Sequence, residues 1–185
     1  MIIQDVNFTL KDGRQAILRS PREEDIPGML DYLKISSGET EFIIRYPEEC
    51  DCYTAEGEKA LFERCNASMG EAMIVCIVDG KLAGNCQIQF FNKIKTRHRA
   101  DVAIALLKEF WNQGIGTKMF EVMIGIAESN PYVTQMELQF VEGNHRARAL
   151  YEKMGFRIAG IHPNGIRLKD GTYRNEYLMI REIKR

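Results

Sequence analysis

Trp111-Asn112-Gln113-Gly114-Ile115-Gly116-Thr117 is the stretch on which the reading of this 185-residue chain turns. Before it, across 98–106, Val102, Ile104 and Leu106 alternate with small residues, the period of a β-strand. After it, apolar side chains recur at Ile115, Met119, Val122, Met123 and Ile126, which is the schedule of one helix face, and Asn130-Pro131 ends the run. The quoted residues therefore join a strand to a helix. Two glycines let the backbone approach a ligand closely, and the first helical turn offers N–H groups that lack intrahelical acceptors. Together with the helix dipole, this suits a phosphate or pyrophosphate. A Walker loop would need Gly-x4-Gly-Lys-Ser/Thr, and a dinucleotide fingerprint would need a third glycine; the stretch has neither. The plainer alternative is a tight turn that only packs a helix on a strand.

Working outward, three Asp-Gly pairs, Asp12-Gly13, Asp79-Gly80 and Asp170-Gly171, each lie between apolar or alternating runs and predict hairpins. They would join strands 7–10 to 15–19, 72–78 to 82–91, and 165–169 to 173–183. Arg22-Glu23-Glu24-Asp25 after Ser20-Pro21 predicts a helix start, with acids at the positive end of the dipole. Thr54, with Glu56 and Glu58 in the first turn, predicts a helix over 54–68. A strand follows at 133–141, with Met136, Leu138 and Phe140 on one face and Gln135, Glu137 and Gln139 on the other. A helix from Asn144 to Met154 is closed by Gly155. This order is α+β with a mixed, mostly antiparallel central sheet flanked by helices, in one domain over 1–185.

Composition narrows the function classes. Apolar residues make up 45% and charged residues 28%, and the net charge of -1 argues against a nucleic-acid or membrane-surface binder. No apolar run reaches the roughly 18–20 residues of a membrane span, and Met1-Ile2-Ile3-Gln4-Asp5 is too polar for a signal peptide, so a cytoplasmic chain is expected. The charge is uneven, with 14 acids and 8 bases in 1–70 against 12 acids and 17 bases in 71–185. Eight acids fall within 39–63, opposed by Arg45 and Lys59. An acidic stretch of this kind either attracts a cationic ligand or forms solvated helix faces. The five cysteines are irregularly spaced and lack spaced histidine partners, so no metal is expected, and Cys76 and Cys86 read as buried small hydrophobes. His98, His145 and His162 have no partner at metal or triad spacing, which leaves nucleophilic catalysis unsupported.

Asn144-His145-Arg146-Ala147-Arg148-Ala149-Leu150-Tyr151-Glu152-Lys153-Met154-Gly155-Phe156 resembles the Asn-x2-Ala-x3-Tyr-x3-Gly-Phe segment of the GNAT superfamily of N-acetyltransferases. Ala103 to Glu109 is similar to that superfamily's fourth strand. The glycine loop keeps both glycines of the family's Arg/Gln-x2-Gly-x-Gly/Ala signature, with Trp111 at its first position. The likeness runs from about 72 to 160.

The resemblance implies a GNAT-like fold with a V-shaped splay between family strands 4 and 5, here the strands around 98–106 and 133–141. It implies acetyl-CoA as co-substrate, with pantetheine amides on the backbone of Ile104, Ala105 and Leu106. The pyrophosphate would rest on the N–H groups of Asn112, Gln113, Gly114, Ile115, Gly116 and Thr117. Asn144 would hold the pantetheine arm and Tyr151 would protonate the leaving thiolate, with Arg146, Arg148 and Lys153 as candidates for the ribose 3′-phosphate. Ribosomal-protein alanine N-acetyltransferases carry a glutamate five residues before the helix asparagine; Gln139 stands there and cannot be a base. Glu137 and Asp101 are the two candidates for the base, directly or through water.

The reading is direct acetyl transfer to a primary amine in a ternary complex. The acceptor is expected to be a small cationic amine or a basic peptide end, because the acidic stretch lies in a region that borders the acceptor pocket in the family. A homodimer is a further implied partner, since dimers are common in similar families. The alternatives are a ribosomal-protein or protein N-terminal acetyltransferase and a catalytically silent CoA-binding module.

Overall fold

A computed structural model describes residues 1–183. Its strands are β1 (Val6–Thr9), β2 (Gln15–Arg19), β3 (Glu71–Val78), β4 (Lys81–Phe90), β5 (Arg99–Leu106), β6 (Gln135–Val141), β7 (Arg157–Arg167) and β8 (Tyr173–Glu182). The helices are α1 (Ile26–Glu39), α2 (Ala55–Ala67), α3 (Ile115–Ser129) and α4 (His145–Lys153). The chain divides into two compact units, Met1–Gln89 with Ile104–Met119, and Phe90–Ala103 with the residues from Phe120 onward. The last two residues of the expected 1–185 domain lie outside the described range.

The first unit is built on an antiparallel run of β1, β2, β3 and β4. Its core includes Leu18, Met29, Tyr32, Ile74, Phe110 and Ile115, all nearly out of water. The Asp-Gly turns form as their chemistry requires. Asp79 and Gly80 both take positive φ, at 50° and 78°, the geometry of a two-residue hairpin loop. At the first turn Gly13 has φ 91° and Asp12 Oδ1 accepts the Arg14 N–H at 3.1 Å. Thr54 caps α2 by accepting the Gly57 N–H at 3.1 Å. Cys65, Cys76 and Cys86 are buried, and burial pushes the Cys76 thiol up to about 12.

The second unit holds the start of β5, most of α3, then β6, α4, β7 and β8. β5 pairs with β6 in parallel, and β8 lies antiparallel between β6 and β7. Phe120, Met123, Met136, Leu138 and Phe140 pack its interior. The described register of β5 on β6 covers Arg99↔Gln135 to Asp101↔Glu137, and β6 continues past it to Val141.

Two local expectations differ from the structure, and one element was not expected at all. The first-turn acids near residue 22 form a 3-10 turn, Glu23–Asp25, and α1 begins at Ile26 with Pro27 at its start. Asp25 is occupied otherwise, bonding both Arg19 guanidinium nitrogens at 2.6 and 2.7 Å in a buried pair. The penultimate strand is Arg157–Arg167 rather than 165–169, because two register breaks hide its alternation, one between Ile158 and Gly160 and one between His162 and Ile166. A 3-10 segment at Pro47–Cys52 had no periodic signal to announce it.

Candidate active site

The glycine loop belongs to the first unit and is staked down on both sides. The Trp111 indole N–H donates to the Leu106 carbonyl at 2.9 Å, which ties the loop to the end of β5. Gln113 accepts the Asp12 N–H on its side-chain oxygen at 3.2 Å and the Lys11 N–H on its carbonyl at 3.4 Å, both from the first hairpin turn. Asn112 and Gly114 take φ of 64° and 95°, the reversal that turns the chain into α3. A Cβ at Gly114 would meet nothing within 4 Å, so the loop backbone is open there. Ile115 and Gly116 open α3, where first-turn N–H groups have no intrahelical acceptor. An open backbone at the positive end of a helix suits a polyanion.

The end of β5 is also held, by residues that carried no signal in the sequence. The Tyr32 hydroxyl lies 3.0 Å from the Ala105 carbonyl and 2.9 Å from Asn85 Oδ1, fully buried, and burial pushes its phenol up. Gly84 lets β4 come close; a Cβ there would lie 2.4 Å from the Ala105 carbonyl. Glu39 accepts the Lys108 N–H at 2.7 Å. Of the three residues expected to pair with pantetheine, Ala105 and Leu106 thus have carbonyls already accepting side-chain hydrogen bonds.

In the second unit, Asn144 and Tyr151 lie on α4. Asn144 is the N-cap, with Oδ1 accepting the Ala147 N–H at 3.2 Å. Capping uses the amide oxygen and leaves its NH2 group as the donor for a ligand. Tyr151 is buried among Phe120, Phe140 and Phe156, with ring centroids 5.6, 5.9 and 6.4 Å away. Burial pushes its phenol up to about 12, so it stays protonated at neutral pH. Of the 3′-phosphate candidates, Arg148 is paired with Glu152 at 2.8 Å one turn along the same helix.

The two candidate bases are brought side by side, since Asp101 and Glu137 are register partners across the parallel pair. Their surroundings differ. Glu137 is buried and grips Arg99 through two hydrogen bonds, at 2.8 and 2.5 Å, while the Arg99 guanidinium stacks 4.6 Å over Phe91. Asp101 is exposed at its edge yet surrounded by enough protein to lose solvation. That loss and the neighbouring Glu137 charge lift its carboxyl to about 6, against the pull of Arg99. Phe140, which touches Tyr151, and Glu137 lie on opposite faces of β6 by strand alternation.

The acids at 39–63 have mostly local work. Glu39 holds Lys108, Glu49 accepts the Tyr46 N–H at 2.7 Å, and Asp51 lies 3.7 Å from Lys34. Glu58 is buried, and desolvation raises its pKa against the opposing pull of Arg45. Among the described residues no group of three or more His, Cys, Asp or Glu could hold a metal ion, and no helix is long and apolar enough to cross a membrane.

The family model described as the acetyltransferase (GNAT) family matches residues 40–156. An L-amino acid N-acetyltransferase of Escherichia coli (strain K12) is 28% identical over 119 residues, which is 64% of this chain and 73% of that protein. An N-alpha-acetyltransferase of Saccharolobus solfataricus is 25% identical, covering 92% of this chain and 95% of its own length. Among solved structures, a GNAT-family acetyltransferase from Streptococcus pneumoniae superposes with a TM-score of 0.84 at 26% identity, covering 91% of this chain and 99% of that one.

Proposed function

This chain belongs to the acetyltransferase (GNAT) family, and from that membership we propose that it acetylates a cationic primary amine with Asp101 as general base and Tyr151 as general acid. It is an acetyl-CoA-dependent N-acetyltransferase with a GNAT-like α+β fold. Residues 1–185 act as one catalytic domain on this reading. Acetyl-CoA supplies the acetyl group as a thioester, which an uncharged amine attacks with expulsion of a thiolate.

The chain's own residues divide that work. Backbone N–H groups from Asn112 to Thr117 take the pyrophosphate, and the open backbone at Gly114 fits a group of that size and charge. The Asn144 amide orients the pantetheine arm. Tyr151 delivers its proton at the sulfur. A phenol near 12 is a weak donor to an ordinary thiolate of pKa about 8.5, a mismatch of roughly 5 kcal/mol. The transfer therefore requires that the site desolvating the phenol also desolvate the leaving sulfur, which raises its proton affinity in the same direction.

The observation that carries the choice of base is the contrast between register partners, Glu137 locked by Arg99 and Asp101 exposed with its carboxyl near 6. Asp101 must be ionised to accept a proton, directly or through water. The activity ratio of the parent to an Asp101→Asn variant should therefore fall about tenfold per pH unit below about 6 and level off above it, an acidic limb on top of the amine's own deprotonation. Asp101→Asn should remove that acidic limb and lower kcat by roughly 10²-fold or more. Both proteins are compared with one acceptor, so that the amine's own titration cancels. A variant that keeps the limb and the rate would move the base elsewhere.

N-terminal acetylation of a protein is the second reading of the acceptor. It is favoured by the relative named an N-alpha-acetyltransferase, matched over 92% of this chain.

A further inference from the structure

The sheet face that carries Asp101 and Glu137 also carries a groove of ≈ 230 Å³, lined by Gln139, Gly160, Ile161, His162, Glu176 and Leu178. Its place follows from the register. Gln139 lies two residues beyond Glu137 and so faces the same way, Leu178 is its partner on β8, and Glu176 lies two residues further along that strand. Gly160 pairs with Leu178 and His162 with Glu176. The groove is shaped by the bulge in β7 between His162 and Ile166. Asn164 turns there with φ 54°, and its N–H donates to Asn175 Oδ1 at 3.1 Å. At Gly165 a Cβ would lie 3.1 Å from both the Glu176 Cβ and His162 Nδ1, so the bulge leaves no room for a side chain between them. Bulges of this kind re-aim side chains.

Glu176 is the unusual group in this groove. Its side chain is only 16% exposed, and its ionic neighbour is His162 Nδ1 at 3.7 Å, on a ring that is 71% exposed. That separation is beyond hydrogen-bond distance, and a solvent-facing histidine is a screened partner. Nearby Glu142 differs, since it accepts the Asn175 N–H at 3.2 Å and the Asn175 amide at 3.3 Å. A carboxylate largely removed from water calls for a cation. Ile161, Gly160 and Leu178 meanwhile give the groove apolar walls suited to a short alkyl stem.

We propose that Glu176 anchors a second cationic group of the acceptor, which makes the preferred acceptor class a short diamine or a basic chain of similar reach. The inference rests on the N-acetyltransferase reading above. The reacting amine lies beside Gln139, on the sheet face that carries Asp101, and the stem crosses Leu178. From the Gln139–Leu178 row to Glu176 is two residues of strand, about 7 Å, the reach of a four-carbon diamine. Positive charge is thus read by one placed carboxylate, in contrast to the acids of 39–63 that hold local partners.

The test is calorimetric binding of a four-carbon diamine and of butylamine to the full chain with CoA present, alongside thiol release from acetyl-CoA with each amine. The diamine should bind at least about tenfold tighter, Glu176→Gln should erase that preference, and Glu176→Asp should recover part of it. Glu176 makes no hydrogen bond through its carboxylate among the described residues, so the amide variant keeps the fold, which circular dichroism checks. Gly160→Leu provides an independent block: a Cβ there meets only the Leu178 Cβ, at 4.0 Å, and the larger side chain should fill the groove and weaken diamine binding. Equal affinity for the two amines, or a preference that survives Glu176→Gln, overturns the inference. Transfer to butylamine with no diamine preference would defeat this inference alone. Diamine binding without any transfer would instead defeat the catalytic reading.

Discussion

Tyr151→Phe should lower kcat by roughly 10²–10⁴-fold while leaving the KM for acetyl-CoA little changed. The prediction separates a chemical role from a packing one because the ring stays. Phe120, Phe140 and Phe156 surround Tyr151 at centroid distances of 5.6 to 6.4 Å, and a phenylalanine keeps each of those edge or tilted contacts. The hydroxyl has no hydrogen-bond partner among the described residues, so its removal strands no other group. Stability should be little changed, since every ring contact is kept. A variant equally stable but slower by two orders of magnitude or more identifies a proton donor. A variant with full activity makes Tyr151 a core residue that happens to carry a hydroxyl.

Gly116→Asp should abolish measurable acetyl-CoA binding. Gly116 is the second residue of α3. An aspartate there places negative charge at the positive end of the dipole, which favours the helix, but Gly116 is itself buried, which costs the carboxylate its solvation. The same charge would sit where the pyrophosphate is proposed to rest, repelling it and obstructing its approach to the N–H groups. A variant whose circular dichroism matches the parent's separates a lost anion site from misfolding. Trp111 is the chain's one tryptophan and forms part of the loop, so its fluorescence reports the titration directly. Unaltered CoA affinity in the folded variant would remove the loop from the site.

How far the sequence could be read is clearest at particular residues. The α3 periodicity and the Asp-Gly turns are local signals, and both are met: α3 runs Ile115–Ser129, and Asp79-Gly80 makes a two-residue loop between β3 and β4. The bulged strand β7 was invisible because register breaks erase the alternation that marks a strand, and those breaks shape the groove beside Glu176. The contrast between Asp101 and Glu137 on which the proposed base rests was likewise out of reach. It depends on Arg99, two residues from Asp101 along β5 and close in space to Glu137. Tyr32, which holds the Ala105 carbonyl across 73 residues of sequence, and Gln113, which holds the first hairpin across 101, are long-range contacts of the same kind. Trp111 departs from the family's first signature residue, and its indole bond to the Leu106 carbonyl gives it a local role that the sequence could not disclose.

The most direct test of acetyl transfer to a cationic amine is thiol release from acetyl-CoA, measured together with the mass of the acceptor, over cationic, neutral and acidic amines at low and high salt. Each thiol released should be matched by one N-acetylated amine. Cationic acceptors should react fastest, with an advantage that shrinks as salt screens the attraction. Thiol release without an acetylated amine, or rates equal for charged and uncharged acceptors at both salt concentrations, would contradict that account.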